Sequence, residues 1–336
     1  MAICLQRQDH CGSGVSAEGV DGGARRVLVA GASGTIGRAV VKALVEQGHA
    51  AFALLRSGAD QPAELAEATI LHDDLRDPSG LGRSLAEHRI DAVVSCIASR
   101  NGAPKDAEAV DFRANLNLLN AAEQSGADHF ILLSAICVQR PLLAFQHAKI
   151  AFERALKASR INHTIVRPTA FFKSLSGQID RVLAGKPFLI FGNGELTRCK
   201  PISDADLARY IVDCLHLPER RGATLPIGGP GPAITLKQQG ELLFEAAGRE
   251  PRFRTVPVRL FDAAAGVLSL GERYSDWFAE KAEYARIARY YATQSMLVLD
   301  PVSGEYSAEA TPEFGQDTLI EHYRSQIAAR TGRGAQ

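Results

Sequence analysis

The chain has 336 residues, which suits two domains or one large one, and 46% of them are hydrophobic, so we expect a sizeable core and exclude global disorder. Lysine and arginine total 38, as do aspartate and glutamate, and the resulting zero net charge argues against a nucleic-acid binder, which needs a basic excess. The six cysteines form no CxxC pair, which argues against a disulfide scaffold and a structural zinc site.

The N-terminal segment, residues 1–24, is rich in glycine and serine and contains three acidic residues but no apolar stretch. We interpret it as a disordered leader and not as a signal or transit peptide. No apolar run reaches about 18 residues, so no transmembrane helix is predicted. Cys96, Cys137 and Cys214 lie in apolar runs and are expected to be buried free thiols, which fits a reducing compartment such as the cytoplasm.

Strands and helices alternate from residue 26 onward. The apolar runs predict strands over 26–30, 51–55, 68–71, 91–98, 129–138 and 163–166. Residues with helical spacing lie between them, over 38–47, 81–88, 110–125 and 145–158. Because continuous apolar strands that alternate with helices are typical of sheets buried on both faces, we predict an α/β fold with a doubly wound parallel sheet of the Rossmann type.

The pattern becomes less regular after about residue 170, where proline and glycine accumulate. Helices are predicted over 204–214 and 236–247, and a long helical stretch with breaks over 259–291. We therefore expect a cofactor domain over 25–170 and a smaller, irregular substrate domain over 171–330, with some late segments returning to the first domain.

A glycine motif, GxxGxxG, lies between the first predicted strand and its helix. Gly31 permits the tight turn, Gly34 permits close approach of a pyrophosphate, and Gly37 permits close helix packing. The free N–H groups at the start of the helix then attract phosphate. This predicts a dinucleotide site, with a glycine-rich turn that binds nothing as the alternative. The other predicted contacts in this turn are Ser33, Thr35 and Ile36.

The end of the second strand selects between the two nicotinamide dinucleotides. An acidic residue there would bind the ribose 2′-hydroxyl of NADH, but this strand ends in Arg56 followed by Ser57, with no acid until Asp60. Because a guanidinium suits a 2′-phosphate, we predict NADPH, unless Arg56 is only a solvated charge. Asp74 and Leu75 end the third strand and are expected to contact adenine, or else to form a surface turn.

The predicted helix after the fifth strand contains Phe145 and Lys149 at the spacing of the YxxxK pair of carbonyl-reducing dehydrogenases. In that pair the tyrosine donates a proton to the oxyanion, whereas phenylalanine has no proton to give. We therefore expect no ordinary carbonyl reduction, while hydride addition to a conjugated carbon–carbon double bond remains open. Lys149 can still bind the nicotinamide ribose, although this spacing also occurs in an ordinary amphipathic helix.

Several longer runs resemble those of the divinyl chlorophyllide a 8-vinyl-reductase family, whose members are atypical short-chain dehydrogenase/reductases. The runs are SCIASRNG at 95–102, LSAICV at 133–138, VRPTAFFKS at 166–174, CKPIS at 199–203, LPIGGPG at 225–231 and ARYYA at 288–292. The resemblance covers about residues 25–325. It implies NADPH-dependent reduction of the 8-vinyl group of divinyl chlorophyllide a, or of divinyl protochlorophyllide a, to ethyl in chlorophyll or bacteriochlorophyll biosynthesis.

Further site residues are expected around this cofactor. Ala98 is expected to contact the dinucleotide, and Pro168 and Thr169 to form the wall behind the nicotinamide. The substrate-binding candidates are aromatic residues for a flat macrocycle and cations for its propionate, with core packing and ordinary surface charges as the alternatives. They are Phe145, Phe171, Phe172, Arg100 and Lys173, together with Arg198 and Lys200. The candidate proton donors are Tyr290, Tyr291 and His147, or water.

Two alternatives remain open. Superfamily members that lost the tyrosine include proteins that bind the cofactor without turnover, so a non-catalytic NADPH sensor or assembly factor is the second hypothesis. The apolar stretch 260–270 either packs against the second domain or lies weakly against a photosynthetic membrane. No obligate protein partner is predicted. A short, partly acidic leader favours a photosynthetic bacterium as the source and the cytoplasm as the location.

Overall fold

The computed structural model describes residues 23–56, 58 and 61–333. Residues 1–22 of the predicted leader lie outside this range, as do Ser57 and Asp60. The strands are β1 (Arg26–Ala30), β2 (Ala50–Leu55), β3 (Thr69–His72), β4 (Ala92–Ser95), β5 (His129–Leu133), β6 (Asn162–Pro168), β7 (Phe188–Phe191), β8 (Arg198–Cys199), β9 (Thr224–Ile227), β10 (Ile234–Thr235), β11 (Phe253–Val256), β12 (Val298–Leu299) and β13 (Tyr306–Ser307).

The helices connect these strands and pack on the sheet. They are α1 (Thr35–Glu46), α2 (Pro78–Glu87), α3 (Pro104–Asp106), α4 (Asn115–Ser125), α5 (Ala144–Ala158), α6 (Phe172–Leu175), α7 (Ile179–Leu183), α8 (Asp204–Asp213), α9 (Leu236–Ala246), α10 (Arg259–Ser269), α11 (Asp276–Thr293) and α12 (Leu319–Arg333). A π-helical segment, Ala107–Ala114, joins α3 to α4. Short 3₁₀ turns occur at Ala63–Leu65, Ile136–Gln139 and Pro218–Arg220.

The central sheet has seven parallel strands in the order β3-β2-β1-β4-β5-β6-β9. The chain reverses its direction of progress across the sheet between β1 and β4, and ligands of such folds bind in the crevice at that point, beyond the carboxyl ends of the strands. The predicted doubly wound parallel sheet is confirmed. β9 comes from late in the chain and still joins this sheet, beside β6.

The two faces of the sheet are buried by different helices because successive residues of a strand face opposite ways. Val27 and Val29 of β1 pack in a core with α1 and α8. Leu28 packs on the other face, in a core with α2, α4 and α5. The later segments build a separate core from α7, β7, α9 and α12, with Phe188 and Tyr323 fully buried within it.

The strand ends differ from their predicted positions. The apolar runs predicted strands over 91–98 and 129–138, but β4 ends at Ser95 and β5 at Leu133, and part of the second run forms the 3₁₀ turn Ile136–Gln139. The helix predicted over 110–125 begins as the π-helical segment. No residue pattern predicted α12, whose polar sequence is held against α9 by Tyr323.

The long helical stretch predicted over 259–291 is a hairpin of α10 and α11. Phe261 packs against Phe191, so part of α10 contacts β7, but Val267 and Leu270 are 70% and 74% exposed. Contact of this face with a membrane surface stays a prediction. Within residues 23–56, 58 and 61–333, the helices are each too short or too polar to cross a bilayer.

The base of β5 contains a buried histidine. The Thr164 hydroxyl donates a hydrogen bond to the Arg220 carbonyl at 2.8 Å. Its oxygen therefore accepts a hydrogen bond from His129 Nε2 at 3.0 Å. The other ring nitrogen, Nδ1, has no partner among the described residues. Burial lowers the pKa of His129 to about 4, with smaller contributions from the charges of Arg221 and Arg25.

This histidine makes stability pH-dependent. Its pKa in the folded protein lies below the ordinary value of 6.5, so its contribution is complete above about pH 6.5 and is lost as the pH falls toward 4. Between pH 6.5 and pH 4 the wild type should lose about 3 kcal/mol more unfolding free energy than His129→Asn does. Urea denaturation at the two pH values measures this difference. His72→Asn, at an exposed histidine, is the control. Equal pH slopes for wild type and His129→Asn would contradict this assignment.

Candidate functional site

The turn between β1 and α1 brings three backbone segments together. Gly31 has φ +80°, and a Cβ at this position would lie 2.8 Å from the Cys96 carbonyl carbon at the end of β4. A Cβ at Gly37 would overlap the Gly31 carbonyl and lie 2.8 Å from the Cα of Ala32. Glycine is therefore required at both positions, one for the turn and one for the packing of α1 against it.

The first turn of α1 is open to a phosphate. Its N-cap is Gly34, which offers no side chain to the first-turn N–H groups, and Ser33 and Gly34 are exposed. Thr35 is partly exposed, whereas the Ile36 side chain packs into the sheet core, so only its backbone can contact a ligand. The free N–H groups and the helix dipole fit the diphosphate of a dinucleotide.

Lys173, which we expected to bind a propionate, lies at this same helix end, where its ammonium donates a hydrogen bond to the Thr35 hydroxyl. Asp204 is nearby: burial raises its pKa, opposed by the charges of Lys173 and Arg38. The structure therefore places the Lys173 charge beside the first turn of α1.

Arg56 is exposed at the end of β2 and makes no hydrogen bond or ion pair with any residue that the structure describes. Its guanidinium is therefore available to a ligand at the edge of the crevice.

Asp74 and Leu75 follow β3. Asp74 is hydrogen bonded to the Arg76 side chain and backbone, which lowers the pKa of this carboxyl. The Leu75 carbonyl accepts a hydrogen bond of 2.8 Å from Asn117 of α4, and its side chain packs against the core. The turn is thus fixed in place, and adenine contact through it stays a prediction.

Lys149 is buried in α5 and forms an ion pair with Asp111, whose Oδ1 lies 2.9 Å from the Lys149 Nζ. The Lys149 side chain is 10% exposed and that of Asp111 is 0% exposed. Burial raises the pKa of the Cys96 thiol to about 12, and the positive charge of Lys149 opposes this shift. The Lys149 charge thus acts on the thiol of a residue whose backbone lies against Gly31 of the glycine turn.

The π-helical segment determines the position of Asp111. Asn115, at its C-terminal end, donates hydrogen bonds to the carbonyls of Val110 (3.2 Å) and Asp111 (3.1 Å) and accepts one of 2.5 Å from Ser95 at the end of β4. Asn115 thus satisfies backbone carbonyls at the junction with α4 and ties the segment to the sheet. Such π-helical insertions are frequent at functional sites.

Phe145 packs one turn before Lys149 on α5. Its ring is half-buried among Ile136, Tyr290 and Ile287, and it lies against Gly102 in the loop after β4. The position that holds a tyrosine hydroxyl in carbonyl reductases is therefore filled by hydrocarbon.

The three candidate proton donors have different surroundings. Tyr290 is buried, and the single proton of its hydroxyl is shared between the carbonyls of Cys137 (2.9 Å) and Arg140 (3.1 Å), so its role as a proton donor stays a prediction. His147 is exposed and lies 200° around α5 from both Phe145 and Lys149, so it faces away from them, and proton donation by it also stays a prediction. Tyr291 is 47% exposed, with its hydroxyl beside the Cys137 thiol, and burial of that end raises its pKa.

The residues after β6 separate into different environments. Pro168 ends the strand and Thr169 follows it, and the buried Thr169 hydroxyl donates to the Lys200 carbonyl. Phe171 is half-buried against the sheet core. Phe172 is 2% exposed, lies in the core formed by α7, β7, α9 and α12, and packs against His322, so substrate contact by it stays a prediction.

Of the predicted cations, Lys200 is used within the fold. It is buried, pairs with Glu313 and donates to the Thr311 carbonyl at 3.2 Å, which fixes the segment before α12. Arg100 and Arg198 are exposed. Ala98 is exposed in the loop after β4, close to the glycine turn.

Sequence reasoning missed three buried polar residues: Asp111, Asn115 and Glu153. Glu153 accepts a hydrogen bond from Ser134 at 2.6 Å and pairs with Arg167, so it joins α5 to β5 and β6. A signal was available for Glu153, because it lies four residues after Lys149 and therefore on the same buried face. Spacing alone could not reveal Asp111, because the π-helical segment changes its direction.

Comparisons with known proteins agree with this site. A family described as NAD(P)H-binding matches residues 31–218. Among solved structures, leucoanthocyanidin reductase from Vitis vinifera, in a binary complex with NADPH, superposes with a TM-score of 0.67 over 90% of this chain and 99% of that one. The sequence identity is 18%, so this likeness concerns the fold.

Sequence relatives are more specific. The chloroplastic divinyl chlorophyllide a 8-vinyl-reductase of Zea mays is 48% identical over 316 residues, which cover 90% of this chain and 79% of that protein. The photosystem II assembly factor Ycf39 of Synechocystis is 24% identical, over 90% of this chain and 91% of that protein. From the family match over half the chain and the high identity to the reductase, the chain belongs to the divinyl chlorophyllide a 8-vinyl-reductase family of NAD(P)H-binding proteins.

Proposed function

We propose that this protein reduces the 8-vinyl group of divinyl chlorophyllide a to ethyl, with NADPH as reductant. The observation that carries the proposal is the 48% identity to a reductase of that name over 90% of the chain. Divinyl protochlorophyllide a is the alternative substrate. Lys149 and the phenylalanine at position 145 support reduction of a vinyl group on either pigment. Such a reduction forms no oxyanion and therefore needs no acid at position 145.

We assign residues to the diphosphate, the 2′-phosphate, the ribose and the nicotinamide of the cofactor. The open first turn of α1, with Lys173 beside it, suits the diphosphate. Arg56 suits a 2′-phosphate, and Lys149 suits the ribose next to the nicotinamide, with Pro168 and Thr169 behind the ring. When bound, NADPH supplies the hydride for reduction of the vinyl group.

The substrate side of the crevice is proposed to lie between the loop after β4 and α11, where Phe145, Gly102 and Ile287 meet. Apolar walls suit a flat macrocycle. Arg100 and Arg198 are the exposed cations that we propose for its propionate. Of these residues, Arg198 and Ile287 come from beyond residue 170, whereas Arg100, Gly102 and Phe145 come from the predicted cofactor domain.

The proposal is tested by following NADPH oxidation by the purified protein with and without divinyl chlorophyllide a, or divinyl protochlorophyllide a, and separating the pigments by chromatography. We expect a monovinyl product and oxidation that depends on the pigment. NADPH binding without turnover of either pigment would instead favour a non-catalytic role, such as that of the assembly factor to which the chain is more distantly similar.

Arg56 is expected to determine the choice of cofactor. Arg56→Glu should weaken NADPH binding about tenfold or more and NADH binding much less, because a charge-assisted hydrogen bond to phosphate contributes about 1.5–3 kcal/mol. Fluorescence titration of both cofactors measures this. Arg83→Glu changes an exposed arginine on α2 and serves as the matched control. Equal weakening of both cofactors would remove Arg56 from the phosphate site.

Lys149 and Phe145 are expected to respond differently. Lys149→Ala should raise the NADPH KM strongly, since a buried ammonium aimed at the ribose is lost. Phe145→Tyr should keep vinyl reduction, since no acid is removed at position 145. Lys157→Ala, at an exposed position of the same helix, controls for loss of charge. Unchanged turnover and unchanged NADPH KM in Lys149→Ala would show that this helix has been assigned the wrong role.

The proton required after hydride transfer goes to the carbon of the vinyl group next to the ring. Negative charge there spreads over the macrocycle, so no strong oxyanion site is needed. Tyr291 is the candidate tyrosine whose hydroxyl does not donate to a backbone carbonyl. Its hydroxyl lies beside the Cys137 thiol, whose pKa is raised by burial and lowered in part by the positive charge of Lys149. Water is the alternative donor.

The variants therefore have a predicted order. Tyr290→Phe and His147→Ala should retain most of the activity of the wild type, whereas Tyr291→Phe should lose at most about 10²–10⁴-fold, the usual contribution of a general acid. In D₂O, solvent deuterium should appear on the ring-side carbon of the product ethyl group, as seen by mass spectrometry and NMR. Solvent label on the terminal carbon, or inactivity of two folded variants, would contradict the diffuse-charge argument.

A further inference from the structure

The buried carboxylate of Asp111 lies outside the predicted site residues. Its Oδ1 is 2.9 Å from the Lys149 Nζ, and its Oδ2 is 3.4 Å from the backbone N–H of Ser99, in the loop after β4. Asp111 belongs to the π-helical segment, Lys149 to α5 and Ser99 to the loop. Three separate elements thus meet at one carboxylate.

Burial makes the two charges depend on each other. An isolated ion in a protein interior has a large desolvation cost, and removal of one partner of a buried pair leaves the other uncompensated. Asp111 compensates the charge of Lys149 at a position that is 10% exposed. Without it, that ammonium would have no counter-ion among the described residues, since Glu153, on the same face, is paired with Arg167.

The pair also limits what Lys149 can do. The contact is an ion pair without the geometry of a hydrogen bond, because Asp111 Oδ1 has no hydrogen-bond partner among the described residues, so the donors of the ammonium stay available to a ligand such as the two hydroxyls of a ribose. The pair has no net charge, so it would do little to acidify a neighbouring hydroxyl. This agrees with Phe145, which has no hydroxyl to acidify.

We propose that Asp111 is a positioning residue, which holds the Lys149 ammonium in its orientation toward the nicotinamide ribose and neutralises its charge. The inference rests on the proposed cofactor role of Lys149. It concerns cofactor binding and not reduction of the vinyl group, so it is tested without a pigment.

The experiment measures the Kd of NADPH by fluorescence, and thermal stability, for Asp111→Asn, Lys149→Met and the double variant. We expect each single variant to weaken binding about tenfold or more, and the double variant to bind no more weakly than Lys149→Met, because the two residues act as a unit. The double variant should also melt at a higher temperature than Asp111→Asn, since it contains no unpaired buried ammonium.

Glu153→Gln is the matched control, because it breaks a buried ion pair on the same face of α5 without touching Lys149. It should lower stability and leave the Kd of NADPH within about twofold of wild type. If Glu153→Gln weakens NADPH binding as much as Asp111→Asn does, the effect is general destabilisation and the inference is wrong.

The remaining outcomes are decisive. Unchanged NADPH affinity in Asp111→Asn, with weakened affinity in Lys149→Met, overturns this inference alone. Unchanged affinity in Lys149→Met overturns both the inference and the cofactor role proposed for Lys149, while pigment reduction by the wild type is judged separately. If Asp111→Asn does not fold, folding of the double variant supports the pair, and failure of the double variant while Lys149→Met folds overturns it.

Discussion

The close contact between α1 and the turn after β1 is the constraint on which the site depends. Gly37 packs directly on the Gly31 backbone, and Gly31 in turn lies against the Cys96 carbonyl at the end of β4. No side chain larger than hydrogen fits at either glycine. The start of α1 is therefore fixed at the crevice between β1 and β4, where its free N–H groups face outward and a phosphate can be bound without movement of the backbone.

The second constraint is the pairing of buried charged side chains on α5. One face of this helix presents Lys149 and Glu153 to the protein interior, and each is matched by an opposite charge from another element, Asp111 or Arg167. Such pairs contribute little net stability, because desolvation offsets most of the attraction. Their value lies in fixing geometry, because each pair holds two elements together, and the Lys149 pair does so beside the loop after β4.

The side chains that remain in the crevice limit the reactions that can occur there. Phe145 removes the hydroxyl that a carbonyl reductase needs, and the neutral Lys149–Asp111 pair would not activate one. Binding and orientation remain, together with an apolar wall where α11 closes over the loop after β4. A reaction whose negative charge spreads over a conjugated macrocycle needs little more, whereas acyl or carbonyl chemistry would need a concentrated charge to be stabilised.

The sequence by itself determined the sheet, the glycine turn, the nicotinamide dinucleotide and the family, because apolar strands, a local turn and contiguous motifs are recorded in neighbouring residues. Tertiary structure decided which polar residues meet. Asp111 reaches Lys149, 38 positions away, only because a π-helical segment turns it inward, and Tyr290 is engaged by carbonyls about 150 positions earlier. Helical periodicity describes one helix at a time, so it cannot predict a partner that packing brings from another.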